Sequence, residues 1–284
     1  MWKKHLGLGT SSDFDLPVEE QIRLFARVGF DAFFTGWEPG APVAAWAAVG
    51  KECGMIYQSI HAPFGGAATL WREDESAAQA VLSELFACLR DCADNSVPIM
   101  VCHVYIGFGD DKPPCGEPGL SRYGRLIAEA KRLGVKIAFE NTEGEEYLDL
   151  LLRTFSDEPT VCFCWDSGHE MCYNHSRDLL AEFGGQLIAT HLNDNLGISD
   201  FGGKATWTDD LHLLPFDGIA DWRYNTDRLR RCGYDGILTF ELLRRSKPER
   251  HENDAYFRLD PEEYVTVCYM RACRVAALLE RAGQ

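Results

Sequence analysis

Five of the chain's eight histidines and four of its acids each stand just past the end of a short apolar run, in the order His61, His103, Glu140, Asp166, His169, His191, Asp210, His212 and Glu241. Imidazole nitrogens and carboxylate oxygens are what proteins offer to divalent metals, and the same groups move protons. If the apolar runs are parallel strands of one barrel, every strand ends on the same face and these distant residues meet in one pocket. Ionised carboxylates buried together are very unfavourable without a compensating cation. Glu140, Asp166, His191 and Glu241 offer three oxygens and one nitrogen, a mixed set that suits manganese, magnesium or cobalt with open positions better than an all-nitrogen or thiolate zinc cage. One divalent ion, from manganese, magnesium, cobalt or zinc, is the expected cofactor, with no organic cofactor. Taken singly, each of these residues could equally be a salt bridge or a strand cap.

Strand alternation tests that placement, because only one parity points into a barrel. Glu140 shares its face with Ala138, Asp166 with Cys162 and Cys164, His191 with Ala189, and Glu241 with Thr239. Small residues therefore lie beneath each polar one, which leaves room for a buried site above a narrow interior. In Asp166-Ser-Gly-His169 the glycine permits a tight turn, and the spacing lets His169 look back at the pocket. In His191-Leu-Asn-Asp194-Asn195, Asn193 shares the face of His191, and Asp194 is a partner behind a ligand or a loop cap. Asp210-Leu-His212 offers a further ligand pair in a long loop, so His169, Asp210 and His212 are candidates for an additional metal.

Positioning those residues requires eight strands, and the hydrophobic periodicity supplies them. Strands are expected at 5–9, 30–36, 55–60, 98–105, 135–140, 160–166, 186–193 and 235–241, with helices near 17–28, 42–53, 74–95, 119–133, 145–155, 175–183, 222–232 and 261–281. Gly29, Gly54, Gly134 and Gly233 follow helical runs as C-terminal caps would. The unbroken alternation predicts an α/β fold, a single (β/α)8 TIM barrel over 1–284. A doubly wound sheet is the rival, and Gly7-x-Gly9 is too little for its phosphate turn. The loops after strands 3, 4 and 7 are long, as lids over an active site are.

Bulk composition narrows the partners. The chain has 284 residues, 46% of them hydrophobic, and a net charge of −16. That charge repels phosphate backbones and anionic lipid, so neither nucleic acid nor membrane is expected. Eleven cysteines without a CxxC pair read as reduced thiols, and the N-terminus lacks an apolar signal core, which together predict a cytoplasmic protein.

Several motifs together carry a resemblance: His61-Ala-Pro-Phe, Phe139-Glu140-Asn, Trp165-Asp166-Ser-Gly-His169, His191-Leu-Asn-Asp-Asn, Asp210-Leu-His212 followed by Pro215 and Gly218-Ile-Ala-Asp221-Trp222, and Phe240-Glu241. They resemble the xylose isomerase-like TIM barrels, specifically the sugar phosphate isomerase/epimerase group, over strands 3 to 8. The resemblance implies a metal-dependent isomerase or epimerase acting on a sugar, ketose or sugar phosphate through an enediolate. It implies one metal on Glu140, Asp166, His191 and Glu241, with Glu140 and Glu241 as the acid/base pair. His169, His61 and His103 would contact substrate, as would Glu146, which falls where ketose 3-epimerases place a substrate-contacting acid. Trp37, Phe64, Trp71, Tyr105, Phe108 and Trp207 are candidate apolar walls for a carbohydrate substrate, Trp37 foremost. Related barrels form homo-oligomers, so one is expected here.

The chain departs from ketose 3-epimerases in having Leu196-Gly197 where they carry an arginine. A phosphate would have Lys112, Lys204, Arg244 and Arg245 as candidate partners. All nine residues also match, type for type, the three-zinc site of apurinic-site endonucleases, and that phosphodiesterase is the alternative reading, opposed by the net charge. An inosose dehydratase-like lyase, and a metal-binding barrel without chemistry, are the others.

Overall fold

The structure, a computed structural model, describes residues 4–109, 111–200 and 202–281. Met1–Lys3 of the N-terminus, Asp110 and Phe201 of the loops expected after strands 4 and 7, and residues 282–284 of the expected domain lie outside the described residues.

Eight strands run β1 (Leu6–Gly9), β2 (Ala32–Gly36), β3 (Ile56–His61), β4 (Ile99–His103), β5 (Lys136–Glu140), β6 (Val161–Asp166), β7 (Leu187–His191) and β8 (Leu238–Phe240). They pair in parallel in the order β7-β6-β5-β4-β3-β2-β1-β8. The last seam closes through Leu192, whose N–H donates to the Thr239 carbonyl at 2.8 Å and whose own carbonyl accepts from the Glu241 N–H at 3.3 Å. The ring of helices comprises α1 (Val18–Val28), α2 (Val43–Glu52), α3 (Glu75–Asp94), α4 (Glu117–Leu133), α5 (Glu145–Thr154), α6 (Ser167–Cys172), α7 (Leu179–Phe183), α8 (Trp222–Arg231), α9 (Asp254–Phe257) and α10 (Pro261–Arg281). This is a single (β/α)8 barrel.

Strand alternation sorts the core into two compartments. Phe33, Phe139, Phe163, Trp165 and Phe240 point outward and are fully buried in the layer shared with the helices. Each such side chain contributes roughly 1.5–3 kcal/mol on burial. Inside the barrel, Val101, Ala138, Cys164 and Ala189 form a separate small cluster. Each lies two residues before His103, Glu140, Asp166 or His191, so the floor of the site is apolar and compact. Phe34 fills the opposite side of the barrel, its ring stacked on His191 at 4.5 Å. A Cβ at Gly9 would approach that ring to 2.4 Å. The first strand therefore ends in glycine to admit an aromatic ring.

Most elements lie within two residues of their expected limits, with three differences. The helix expected at 175–183 is only Leu179–Phe183, because His175 and Ser176 take positive φ values of 53° and 57°. Helix α6 begins directly at the end of β6, and β8 is confined to Leu238–Phe240, leaving Glu241 one step beyond it. Among the described residues no helix is long and apolar enough to cross a membrane, and no disulfide forms.

Candidate metal centre and active site

Strand register sets the first contacts. His103 pairs with Glu140 across β4 and β5, and Asp166 with His191 across β6 and β7. Glu140 lies at the centre. Its Oε2 is 3.3 Å from His61 Nε2 and 3.4 Å from His103 Nε2, while its Oε1 is 3.2 Å from His191 Nδ1 and 3.4 Å from His169 Nδ1. His191 Nδ1 also lies 3.0 Å from Glu241 Oε2, so one imidazole bridges both glutamates. Further out, Asp210 receives His212 Nε2 at 2.9 Å and His169 Nε2 at 3.4 Å. Among the described residues, three groups each bring their ligand atoms within 4.8 Å: Glu140, Asp166, His191 and Glu241; His61, Glu140 and His191; and His169, Asp210 and His212.

The donor set fits a divalent ion on two further grounds. His61 donates from Nδ1 to the Ala62 carbonyl at 2.9 Å, His169 to that of Asn141 at 2.9 Å, and His212 to that of Glu241 at 3.1 Å. A backbone carbonyl accepts only a proton, so each ring presents an unprotonated Nε2 to the pocket when neutral. In addition, Glu140 Oε2 and Asp210 Oδ1 are buried without a hydrogen-bond donor. Buried carboxylate oxygens left in that condition are costly, and a cation would satisfy them.

The protonation pattern points the same way. Burial opposes charge on Glu140, yet the charge of His191 and the close imidazoles of His103, His169 and His191 hold its carboxyl well below the usual range. Glu241 is likewise down at about 2, against burial, because of His191 and His212. Burial dominates at Asp166, which rises to about 6 despite His169 and His212. Burial lowers His103 to about 4, whereas His191, His169 and His212, although burial opposes their charge, are raised by their facing acids, His212 to about 9. Protons on the histidines thus offset the charge of the acids, a role that a divalent ion takes over as it displaces protons from its ligands.

Local structure explains the spacings. Asp166 is the N-cap of α6: its Oδ1 accepts from the His169 N–H at 2.6 Å, which is why the histidine follows three residues later. Asn141 ties the ends of β5 and β6, accepting from the Asp166 N–H at 2.8 Å and donating to its carbonyl at 2.9 Å. Asn193 donates to Asp166 Oδ2 at 2.8 Å, and a Cβ at Gly168 would sit 1.9 Å from Asn193 Oδ1. Gly168→Ala should therefore displace Asn193 and turn Asp166. The expected outcome is at least a tenfold loss of metal affinity with unchanged far-ultraviolet circular dichroism; isothermal titration with manganese checks it. His212 adopts a positive φ of 46°, a strained conformation of order 1–3 kcal/mol that aims its ring at Asp210.

A cavity of about 280 Å³ opens above these residues, lined by His61, His103, His169, Asp210, His212 and Glu241. Phe64, Phe108 and Trp207 rim it and are half exposed. Trp71 and Tyr105 are instead buried, Trp71 donating to the Val104 carbonyl at 2.7 Å and Tyr105 stacked on Tyr147. Trp37 is also elsewhere. Its Nε1 donates to Asp91 at 2.6 Å, and it borders a different cleft beside Thr10, Ser11 and Trp46. Glu146, in the first turn of α5, pairs with Lys112 outside the cavity. Gly144, at φ 78°, turns the chain so that Glu143 takes the inner position. Glu143 is buried, accepts from the Gly107 N–H, and has its carboxyl raised by that burial. Arg244 and Arg245 pair with Asp15, and neither they nor Lys112 and Lys204 line the cavity. Sequence spacing did not single out Glu143 or Lys247, both of which do.

Comparison with known proteins adds the family. The description "xylose isomerase-like TIM barrel" matches residues 22–260. The chain belongs to that family. A curated relative from Sinorhizobium fredii, an uncharacterized protein named y4fM, is 37% identical over 131 residues, 44% of this chain. The chain spans 39% of that relative's length. Among solved structures, the IolI protein with a bound zinc atom superposes with a TM-score of 0.76 at 18% identity, covering 96% of this chain and 98% of that one. An L-ribulose 3-epimerase superposes at 0.73 with 14% identity, over 99% and 97%.

Proposed function

We propose that this xylose isomerase-like barrel is a divalent-metal-dependent isomerase or epimerase of a sugar, ketose or sugar phosphate. One observation carries the reading: Glu140, Asp166, His191 and Glu241 bring ligand atoms within 4.8 Å of one another at the barrel mouth. The cavity above them suits a small carbohydrate. The epimerase name of a structural neighbour and the zinc in another support it.

Glu140, Asp166, His191 and Glu241 would hold the ion, which supplies the positive charge that stabilises an enediolate's developing negative charge. Glu241, with its side chain 30% exposed, faces the cavity and takes the proton from the carbon beside the carbonyl. Glu140, fully buried beneath the histidines, is the partner that returns it. His61 and His169, their Nδ1 protons committed to backbone carbonyls, orient substrate oxygens through Nε2. Glu143 replaces Glu146 as the acid that hydrogen-bonds a substrate hydroxyl, and the aromatic rim covers the sugar's C–H face and excludes water.

The second reading, a three-zinc phosphodiesterase, is favoured by the separate His169, Asp210 and His212 group. The net charge of −16 weighs against a nucleic-acid substrate. Metal analysis of the purified protein, together with assays of ketose interconversion and abasic-DNA cleavage, separates the two. The isomerase or epimerase reading predicts one tightly held ion per chain, sugar turnover and intact DNA. Two or three zincs with strand cleavage would overturn it.

A further inference from the structure

Lys247, in the loop after β8, is the only lysine or arginine among the described residues that line the site cavity. Its side chain is 17% exposed, and its Nζ lies 5.6 Å from the centre of the Trp207 ring at the rim. Its nearest acid is Asp210, with Oδ2 at 3.6 Å, too long for a hydrogen bond. Asp210 lies closer to His212, at 2.9 Å, and to His169, at 3.4 Å, so Lys247 is the most distant of the three groups that share it. Neighbouring cations in the same loop are committed elsewhere: Arg245 to Asp15, and Arg250 to Glu252 at 2.8 Å.

A largely buried ammonium that is not closely paired gives up solvation without recovering it, unless an anion closes on it. A chain of net charge −16 repels anionic solutes, and a cation in the mouth offsets that repulsion locally. We infer that Lys247 binds an anionic substituent, a carboxylate or a phosphate, on the part of the substrate remote from the metal-bound carbons, with Trp207 packed against the adjoining C–H groups. This rests on the isomerase or epimerase reading and narrows its substrates to acidic sugars. Neutral ketoses would leave the lysine with only its long contact to Asp210.

Titration calorimetry on the manganese-loaded protein tests this with three ligands of one skeleton: D-fructose, D-fructose 6-phosphate and D-fructuronate. At least one anion should bind tenfold or more tighter than D-fructose, the scale of a charged hydrogen bond. Which anion wins identifies the substituent. Lys247→Met should bring all three within twofold, Lys247→Arg should retain the preference, and bound manganese should be unchanged in both variants. Equal binding of the three by the unmodified protein would overturn the inference, as would a preference that survives Lys247→Met, or halved metal content in that variant. Carbon-bound deuterium exchange on the same ligands separates the two claims. A Lys247-dependent preference without exchange refutes only the isomerase or epimerase chemistry, and exchange without the preference refutes only the anion site.

Discussion

Glu241→Gln is expected to lower sugar turnover at least about a thousandfold at saturating metal, because the amide keeps the side chain's shape but cannot accept a proton. Glu241 is the glutamate on the cavity side, and its carboxylate lies 3.0 Å from His191 Nδ1. The substitution also removes one of the two acids facing His191, so manganese affinity should fall, and assays must raise the metal concentration until binding is complete. Steady-state rates measured across that titration check the claim. More than a tenth of the original rate at saturation would show that another group moves the proton.

Asp194→Ala is expected to cost about 4 kcal/mol of stability, as buried acids that satisfy several donors do on removal. The carboxylate is fully buried and accepts from the N–H groups of Asn195 at 2.9 Å, Phe216 at 2.8 Å and Ala220 at 3.0 Å, and from Trp222 Nε1 at 2.8 Å. Its backbone pairs in both directions with Leu213, next to His212. Losing this hub should also release Asp210 and His212 from the pocket. Urea denaturation followed by fluorescence gives the stability change, and a loss below 1 kcal/mol with normal metal binding would show that the loop is held by other contacts. Asp194→Asn should fall between, since one amide oxygen replaces two acceptors.

The strand-end residues were legible because a parallel barrel converts sequence period into position. Alternation placed Ala138 beneath Glu140 and Cys164 beneath Asp166, and both lie in the small interior cluster. Asp166 and His169 carried a readable signal of another kind, an acid three residues before the amide it caps, although the sequence suggested a turn where α6 forms. What escaped depends on contacts between distant segments. Glu143 rather than Glu146 faces the cavity because of the backbone at Gly144, a choice that three acids in one loop do not reveal. Lys247 has no motif around it; its loop is anchored by Arg244 and Arg245 on Asp13 and Asp15, more than two hundred residues away. The stack of Phe34 on His191 needs the missing side chain of Gly9, on a third strand.

In the proposed reaction Glu140 and Glu241 move a carbon-bound proton of a carbonyl sugar. Incubation of the metal-loaded protein in D₂O with ketoses, ketose phosphates, keto-acids of sugars and inososes, read by NMR and mass spectrometry, tests it most directly. The account predicts deuterium at a carbon beside the carbonyl for at least one substrate, lost in both Glu140→Gln and Glu241→Gln. Conversion of a sugar without deuterium at that carbon, exchange that survives either substitution, or no exchange across the panel alongside cleavage of abasic DNA would contradict it.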